Sequence, residues 1–153
     1  MRISKDKYYL NIALAVAERS TCLKKRYGAV IVKNDEIIAT GYNGAPRGFA
    51  QCSDINYCGR MQDNTHNYSN CIAVHAEQNA MLSARRQDMI NSTLYLAGYD
   101  KFGMQLVKPV PCPICARLIA NAGIAKIVTI CNTYDTTDIR VFAKHDITVL
   151  DNN

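Results

Sequence analysis

The sequence has no apolar run that could cross a bilayer. The stretch 12–17 is followed at once by Glu18 and Arg19, whereas a spanning helix needs about 20 apolar residues. The small-residue cleavage pattern of a secretory leader is missing as well. These absences predict a protein that stays where it is made, in the cytoplasm, without a membrane partner. Charge of one sign is also scarce: 18 Lys and Arg against 13 Asp and Glu leave a net +5 over 153 residues. The basic residues are scattered except for Lys24-Lys25-Arg26 and Arg85-Arg86, so no nucleic-acid-binding stripe is expected, although the balance suits a phosphate-bearing small molecule. With 48% apolar and 20% charged residues, the composition excludes a disordered chain and suits one domain, 1–153, with one core.

Periodicity orders the rest. Tyr9, Ile12, Ala13 and Val16 recur at helical spacing and predict an amphipathic helix over 5–20 whose apolar stripe faces a sheet. Two β-branched runs, 29–32 and 37–40, flank Lys33-Asn34-Asp35-Glu36 and predict a hairpin with a short loop. The segment 45–70 shows no sustained period and is rich in Gly, Asn, Asp, Ser and Pro. A loop of that length needs a function or an internal tie, and Cys52, Cys58, His66 and Cys71 lie within it or at its edge. Beyond it come a helix over 76–87, a strand 93–97, a helix 113–122 stopped by Gly123, a strand 127–131, a helical segment 139–144 and a strand 147–150. This order predicts an α/β layered domain. Its central mixed sheet has about five strands, the later ones parallel, flanked by helices on both sides.

Seven cysteines in a cytosolic setting point to metal or redox chemistry more than to disulfides. His75-Ala76-Glu77 opens a helix, and Pro111-Cys112-Pro113-Ile114-Cys115 follows a strand and opens another. Together they form the H-x-E, then P-C-x-x-C pattern of zinc-dependent nucleobase deaminases. Pro113 suits the first helical position, which puts Cys112 at the cap and Cys115 three residues on, on the same face. The positive end of that helix favours thiolates, the form zinc requires. His75, Cys112 and Cys115 make three ligands and leave a fourth tetrahedral position open, as in a catalytic zinc site. Two thiolates offset the metal's charge, so a neighbouring base matters more, and Glu77 is placed to be that base. In the expected mechanism Glu77 takes a proton from water, C4 of cytosine is attacked, and Glu77 passes protons to N3 and then to the departing ammonia.

At this point the sequence resembles the deoxycytidylate deaminase family, over about residues 8–150. Gly41-Tyr42-Asn43-Gly44-Ala45-Pro46-Arg47-Gly48 is similar to its GYNG-x-P-x-G segment, His75-Ala76-Glu77-Gln78-Asn79-Ala80 to its HAE-x-NA helix, Pro111 to Cys115 to its PCP-x-C turn, and Thr133-Tyr134-Asp135 to a further element. The resemblance implies a three-layer cytidine-deaminase-like fold, deamination of dCMP to dUMP for thymidylate synthesis, and a bacterial or phage-infected cell as setting. It assigns substrate contacts to Asn43, Ala76 and Tyr134. It also implies a homo-hexamer activated by dCTP, with Mg2+ accompanying the triphosphate, and inhibited by dTTP, at a site between subunits that includes Gly41, Asn43, Gly44 and Arg47. Some microbial and phage members carry a structural zinc, and Cys22, Cys52, His66 and Cys71 match its ligand order, with Cys58 competing with His66. Cys131 is assigned to the core. Gln78 and Lys24-Lys25-Arg26 depart from the family pattern and are not expected to touch the chemistry.

Three other readings stay open. The zinc signature is shared with free-base, nucleoside and tRNA deaminases, against which the GYNG-x-P-x-G segment discriminates. A thiol-disulfide redox protein would explain Cys112-Pro113-Ile114-Cys115, but not Glu77. A nonenzymatic zinc module binding nucleic acid would leave both Glu77 and the open coordination position unexplained.

Overall fold

In the computed structural model, which describes residues 1–62, 68–130 and 133–135, the first helix, α1 (Lys5–Ala17), starts on Ser4, whose hydroxyl accepts the Lys7 N–H at 3.2 Å. It buries Tyr9, Leu10, Ala13 and Ala17. Ile12 and Val16 sit at the margin of that face, so the buried stripe is rotated from the expected one. The helix also ends at Ala17, three residues before the expected end. Strands β1 (Lys25–Lys33) and β2 (Glu36–Tyr42) form the predicted hairpin. Its turn residues Asn34 and Asp35 both have positive φ, 51° and 64°, as a two-residue type I′ turn requires. The Tyr9 hydroxyl donates to Asp35 at 2.6 Å, and Lys5 pairs with the same carboxylate, so α1 is fastened to the hairpin tip.

The expected loop contains two single-turn helices, α2 (Cys52–Ile55) and α3 (Gly59–Gln62), and a short 3-10 turn, Tyr68–Asn70. Asn56, in the left-handed region, ends α2. The helix expected over 76–87 is two pieces, α4 (Ala76–Leu82) and α5 (Arg86–Met89), because Arg85 is extended at φ −82°, ψ 146°. Strand β3 (Thr93–Asp100), helix α6 (Pro113–Asn121) and strand β4 (Lys126–Val128) follow. A further strand that was not expected, β5 (Thr133–Asp135), pairs antiparallel with β4, whereas β3 and β4 run parallel as expected. The segments expected at 139–144 and 147–150, together with His66 and Cys131, lie outside the described residues.

The sheet order is β2-β1-β3-β4-β5, and β3 with β4 is its one parallel pair among the described residues. Side chains of the inner strands alternate between two cores. Ala29, Ile31, Leu94, Leu96 and Ile127 face α4 and α6, whereas Val30, Val32, Tyr95, Ala97 and Val128 face α1. A sheet covered on both faces needs apolar residues at every inner position, which is why these runs are continuous. The result is the expected three-layer α/β arrangement. None of the described helices is long and apolar enough to cross a membrane.

Helix α1 lies so close to β1 that a Cβ on Gly28 would stand 2.0 Å from the Ala13 carbonyl oxygen and 2.6 Å from the Ala17 nitrogen. Both obstructing atoms are backbone and cannot step aside, so Gly28→Ala is expected to lower the unfolding free energy by about 2 kcal/mol. A urea midpoint unchanged from the parent's would contradict this packing.

Candidate active site

Two helix starts meet at one end of the sheet. His75 is the N-cap of α4, and its backbone N–H is satisfied by the Gln78 side chain, which accepts it at 2.8 Å. Cys112 is the N-cap of α6 with Pro113 at the first helical position, as expected, and its sulfur accepts the Cys115 N–H at 3.4 Å. Among the described residues these two ends bring together one group able to hold a metal, His75, Cys112 and Cys115. The His75 Nδ1 lies 3.5 Å from the Cys112 sulfur and 3.4 Å from that of Cys115. Tetrahedral zinc, with bonds of about 2.3 Å to sulfur and about 2.05 Å to nitrogen, requires N···S edges of about 3.6 Å. The donor set and its spacing therefore fit zinc with one position to spare.

The electrostatics agree with a site built for a cation. The hydrogen bond from Cys115, against the cost of burial, pulls the Cys112 thiol down to about 4, while the same bond and burial push Cys115 upward. The hydrogen bond to Cys112 raises His75. Glu77, 5% exposed, is pushed by burial up to about 7, near the value at which a carboxyl group can both take and give a proton at neutral pH.

The segment 41–44 holds this end of α4. A Cβ on Gly41 would fall 2.3 Å from the Ala80 nitrogen and 2.4 Å from the Ala76 oxygen, so only glycine lets β2 pass that close. Gly44 and Val74 exchange backbone hydrogen bonds at 3.2 and 2.8 Å, and Asn79 donates to the Tyr42 carbonyl at 2.8 Å. Asn43 is buried. Its Oδ1 accepts from the Ser20 hydroxyl at 2.6 Å and the Tyr27 N–H at 2.7 Å, and its Nδ2 donates to the Lys25 carbonyl at 2.9 Å.

A cavity of about 400 Å³ opens over His75, Glu77 and Cys112, with Asn43 and Ala76 in its wall. Gly41, Gly44 and Arg47 line a separate concavity, and Asn43, expected with them at the effector site, is in the wall of the first cavity instead. Tyr134 is in β5, paired with Ile127, and its side chain is outside the described set. The cavity wall also contains Lys24, Lys25, Tyr27, Arg60 and Tyr68. This corrects the expectation that the Lys24-Lys25 pair lies away from the chemistry, and Arg60, a lone basic residue in an aperiodic loop, carries no signal in the sequence. Burial, with Glu77 and Tyr68 nearby, pushes the Tyr27 hydroxyl up to about 12, so it keeps its proton.

A family model described as the cytidine and deoxycytidylate deaminase zinc-binding region matches residues 3–131. The chain belongs to that family. Deoxycytidylate deaminase of Mycobacterium phage D29 is 41% identical over 131 residues, covering 80% of this chain and 91% of the phage protein. The deoxycytidylate deaminase of Saccharomyces cerevisiae is 38% identical over 130 residues, covering 84% of this chain but 38% of the yeast protein. A crystal structure of dCMP deaminase from the cyanophage S-TIM5, in complex with dCMP and dUMP, superposes with a TM-score of 0.60 at 28% identity, covering 84% of this chain and 82% of that one. Cytidine deaminase from Burkholderia pseudomallei, at 16% identity and a TM-score of 0.57, shares the fold.

Within this fold Gln78 acts through the backbone of His75. Gln78→Leu leaves the His75 N–H without its partner and is expected to lower stability by about 1 kcal/mol and to speed zinc loss to a chromogenic chelator. Unchanged release kinetics and an unchanged denaturation midpoint would show that the cap is dispensable.

Proposed function

We propose that this chain is a zinc-dependent hydrolase that converts dCMP and water to dUMP and ammonia. The observation that carries the reading is the convergence of His75, Cys112 and Cys115 at zinc spacing, with His75 and Cys112 in the same cavity wall as a buried carboxyl, Glu77. The names of the phage and yeast relatives, and the dCMP and dUMP held by the cyanophage protein, support dCMP as substrate. Bound at these three residues, zinc supplies the Lewis acidity that makes water a nucleophile at neutral pH. Glu77 takes the water's proton as its oxygen attacks C4. It gives that proton to N3, takes the second from the new C4 hydroxyl and passes it to the amine, so the C4–N bond breaks and ammonia leaves as the C4=O bond of uracil forms. Asn43 and Ala76 present the wall against which the nucleoside is oriented, with Tyr134 joining from β5. Cys112 sits at the positive end of α6, as in a disulfide oxidoreductase, but that reading gives neither His75 nor Glu77 a task.

The finer reading has further parts. The concavity lined by Gly41, Gly44 and Arg47 takes the effector, dCTP with Mg2+ as activator or dTTP as inhibitor, in a homo-hexamer. The product feeds thymidylate synthesis in the cytoplasm. A second, structural zinc sits on Cys22, Cys52, Cys71 and His66, or on Cys58 in place of His66. Supporting it, burial and then the charges of nearby Cys22, Cys58 and Cys71 raise the Cys52 thiol.

The test follows loss of cytosine absorbance with dCMP, with and without dCTP and magnesium. The parent is expected to yield dUMP, and dCTP to increase the rate. Glu77→Gln should keep its zinc and lose about 10³-fold or more in kcat. A Glu77→Gln enzyme of near-parental rate would remove that residue from the mechanism, and no dUMP under any condition would remove the activity. Metal analysis is expected to find two zinc ions per chain in the parent and one in Cys52→Ser. Equal counts in the two proteins would discard the structural site.

A further inference from the structure

The cavity is lopsided in charge. Glu77 is the one carboxylate among its described lining residues, against Lys24, Lys25 and Arg60. No ion pair joins any of these three cations to a carboxylate among the described residues. Arg60 is the most constrained of them. Its guanidinium lies 4.1 Å over the Tyr68 ring, and that ring lies 5.6 Å from the His75 ring. Its Nε is buried with no hydrogen-bond partner among the described residues. A buried donor on a charged group is costly to leave unpaired, and stacking on Tyr68 fixes the plane of the guanidinium, so less freedom is lost when a ligand engages it.

Arginine and lysine offer only donors, so the missing partner is an acceptor, and three cations together call for a multiply charged anion. The cavity that presents them also presents His75, Cys112 and Glu77. We propose that Arg60 is the anchor for the 5′-phosphate of the nucleotide, with Lys24 and Lys25 as flanking point charges, and that this triad makes the enzyme select a nucleoside monophosphate over the unphosphorylated nucleoside. The proposal rests on the reading that the cavity takes a cytosine nucleotide. It assigns specificity to a residue of the single-turn helix α3 and to the Lys24-Lys25 pair, neither of which takes part in the proton transfers.

The experiment has two arms on the zinc-loaded chain. In the first, kcat/KM is measured for dCMP and for deoxycytidine with the parent, Arg60→Gln and Arg60→Lys. The preference for dCMP is expected to fall roughly 10- to 100-fold in Arg60→Gln and by less in Arg60→Lys, which keeps the charge but loses the fork. In the second, calorimetry gives the affinities for dUMP and deoxyuridine, with Arg60→Gln weakening dUMP by a similar factor relative to deoxyuridine. Equal losses for phosphorylated and unphosphorylated ligands, or no loss, would overturn the anchor and leave deamination standing. Binding of dUMP that depends on Arg60 in a protein that does not deaminate dCMP would keep the anchor and remove the deaminase reading.

Discussion

One geometric demand organises this molecule: an imidazole and two thiols, 37 and 40 residues apart in the chain, must meet at about the edge length of a zinc tetrahedron. Helix α6 satisfies its share locally, since Cys112 at the cap and Cys115 one turn later follow from Pro113 starting the helix. His75 cannot be placed so simply. It stands at the head of a helix of seven residues, too short to be stable alone. Its position is therefore set by neighbours: Gly41 against the α4 backbone, the Gly44–Val74 bridge, Asn79 on Tyr42 and Gln78 on the His75 N–H. The 41–44 segment is in this sense the seat of the helix that carries His75.

Burial gives the same constraint its chemical value. Removing Glu77 from water raises its proton affinity toward neutrality, while the α6 N-terminus and the neighbouring thiol draw Cys112 toward thiolate. A carboxyl that resists ionising thus shares a cavity wall with a sulfur that favours it. The cost of burying these groups is met by the two apolar layers around β1, β3 and β4, which keep the sheet end rigid.

Much of this was legible in the sequence because the signals are local or periodic. The β-branched runs around Lys33-Asn34-Asp35-Glu36 announced the hairpin, the alternation of helices and strands announced a sheet covered on both faces, and His75, Glu77, Cys112 and Cys115 lie on helix starts that proline and spacing define. What escaped was decided by tertiary contact. The split between α4 and α5 turns on one extended residue, Arg85. The strand β5 has only three residues and borrows its order from β4. The loop helices α2 and α3 are single turns, without room for a period. Lys24, Lys25 and Arg60 come together only because the chain between them folds back over the sheet end, and Gln78 reads as a surface substitution until its partner is seen.

The central claim is that His75, Cys112 and Cys115 hold one zinc ion beside Glu77. Anomalous diffraction from crystals, recorded on both sides of the zinc absorption edge, tests it directly. The account predicts a zinc peak about 2.0–2.3 Å from His75 Nδ1 and from both sulfurs, with its open side toward Glu77. A Cys112–Cys115 disulfide, or zinc density that avoids these three residues, would contradict it.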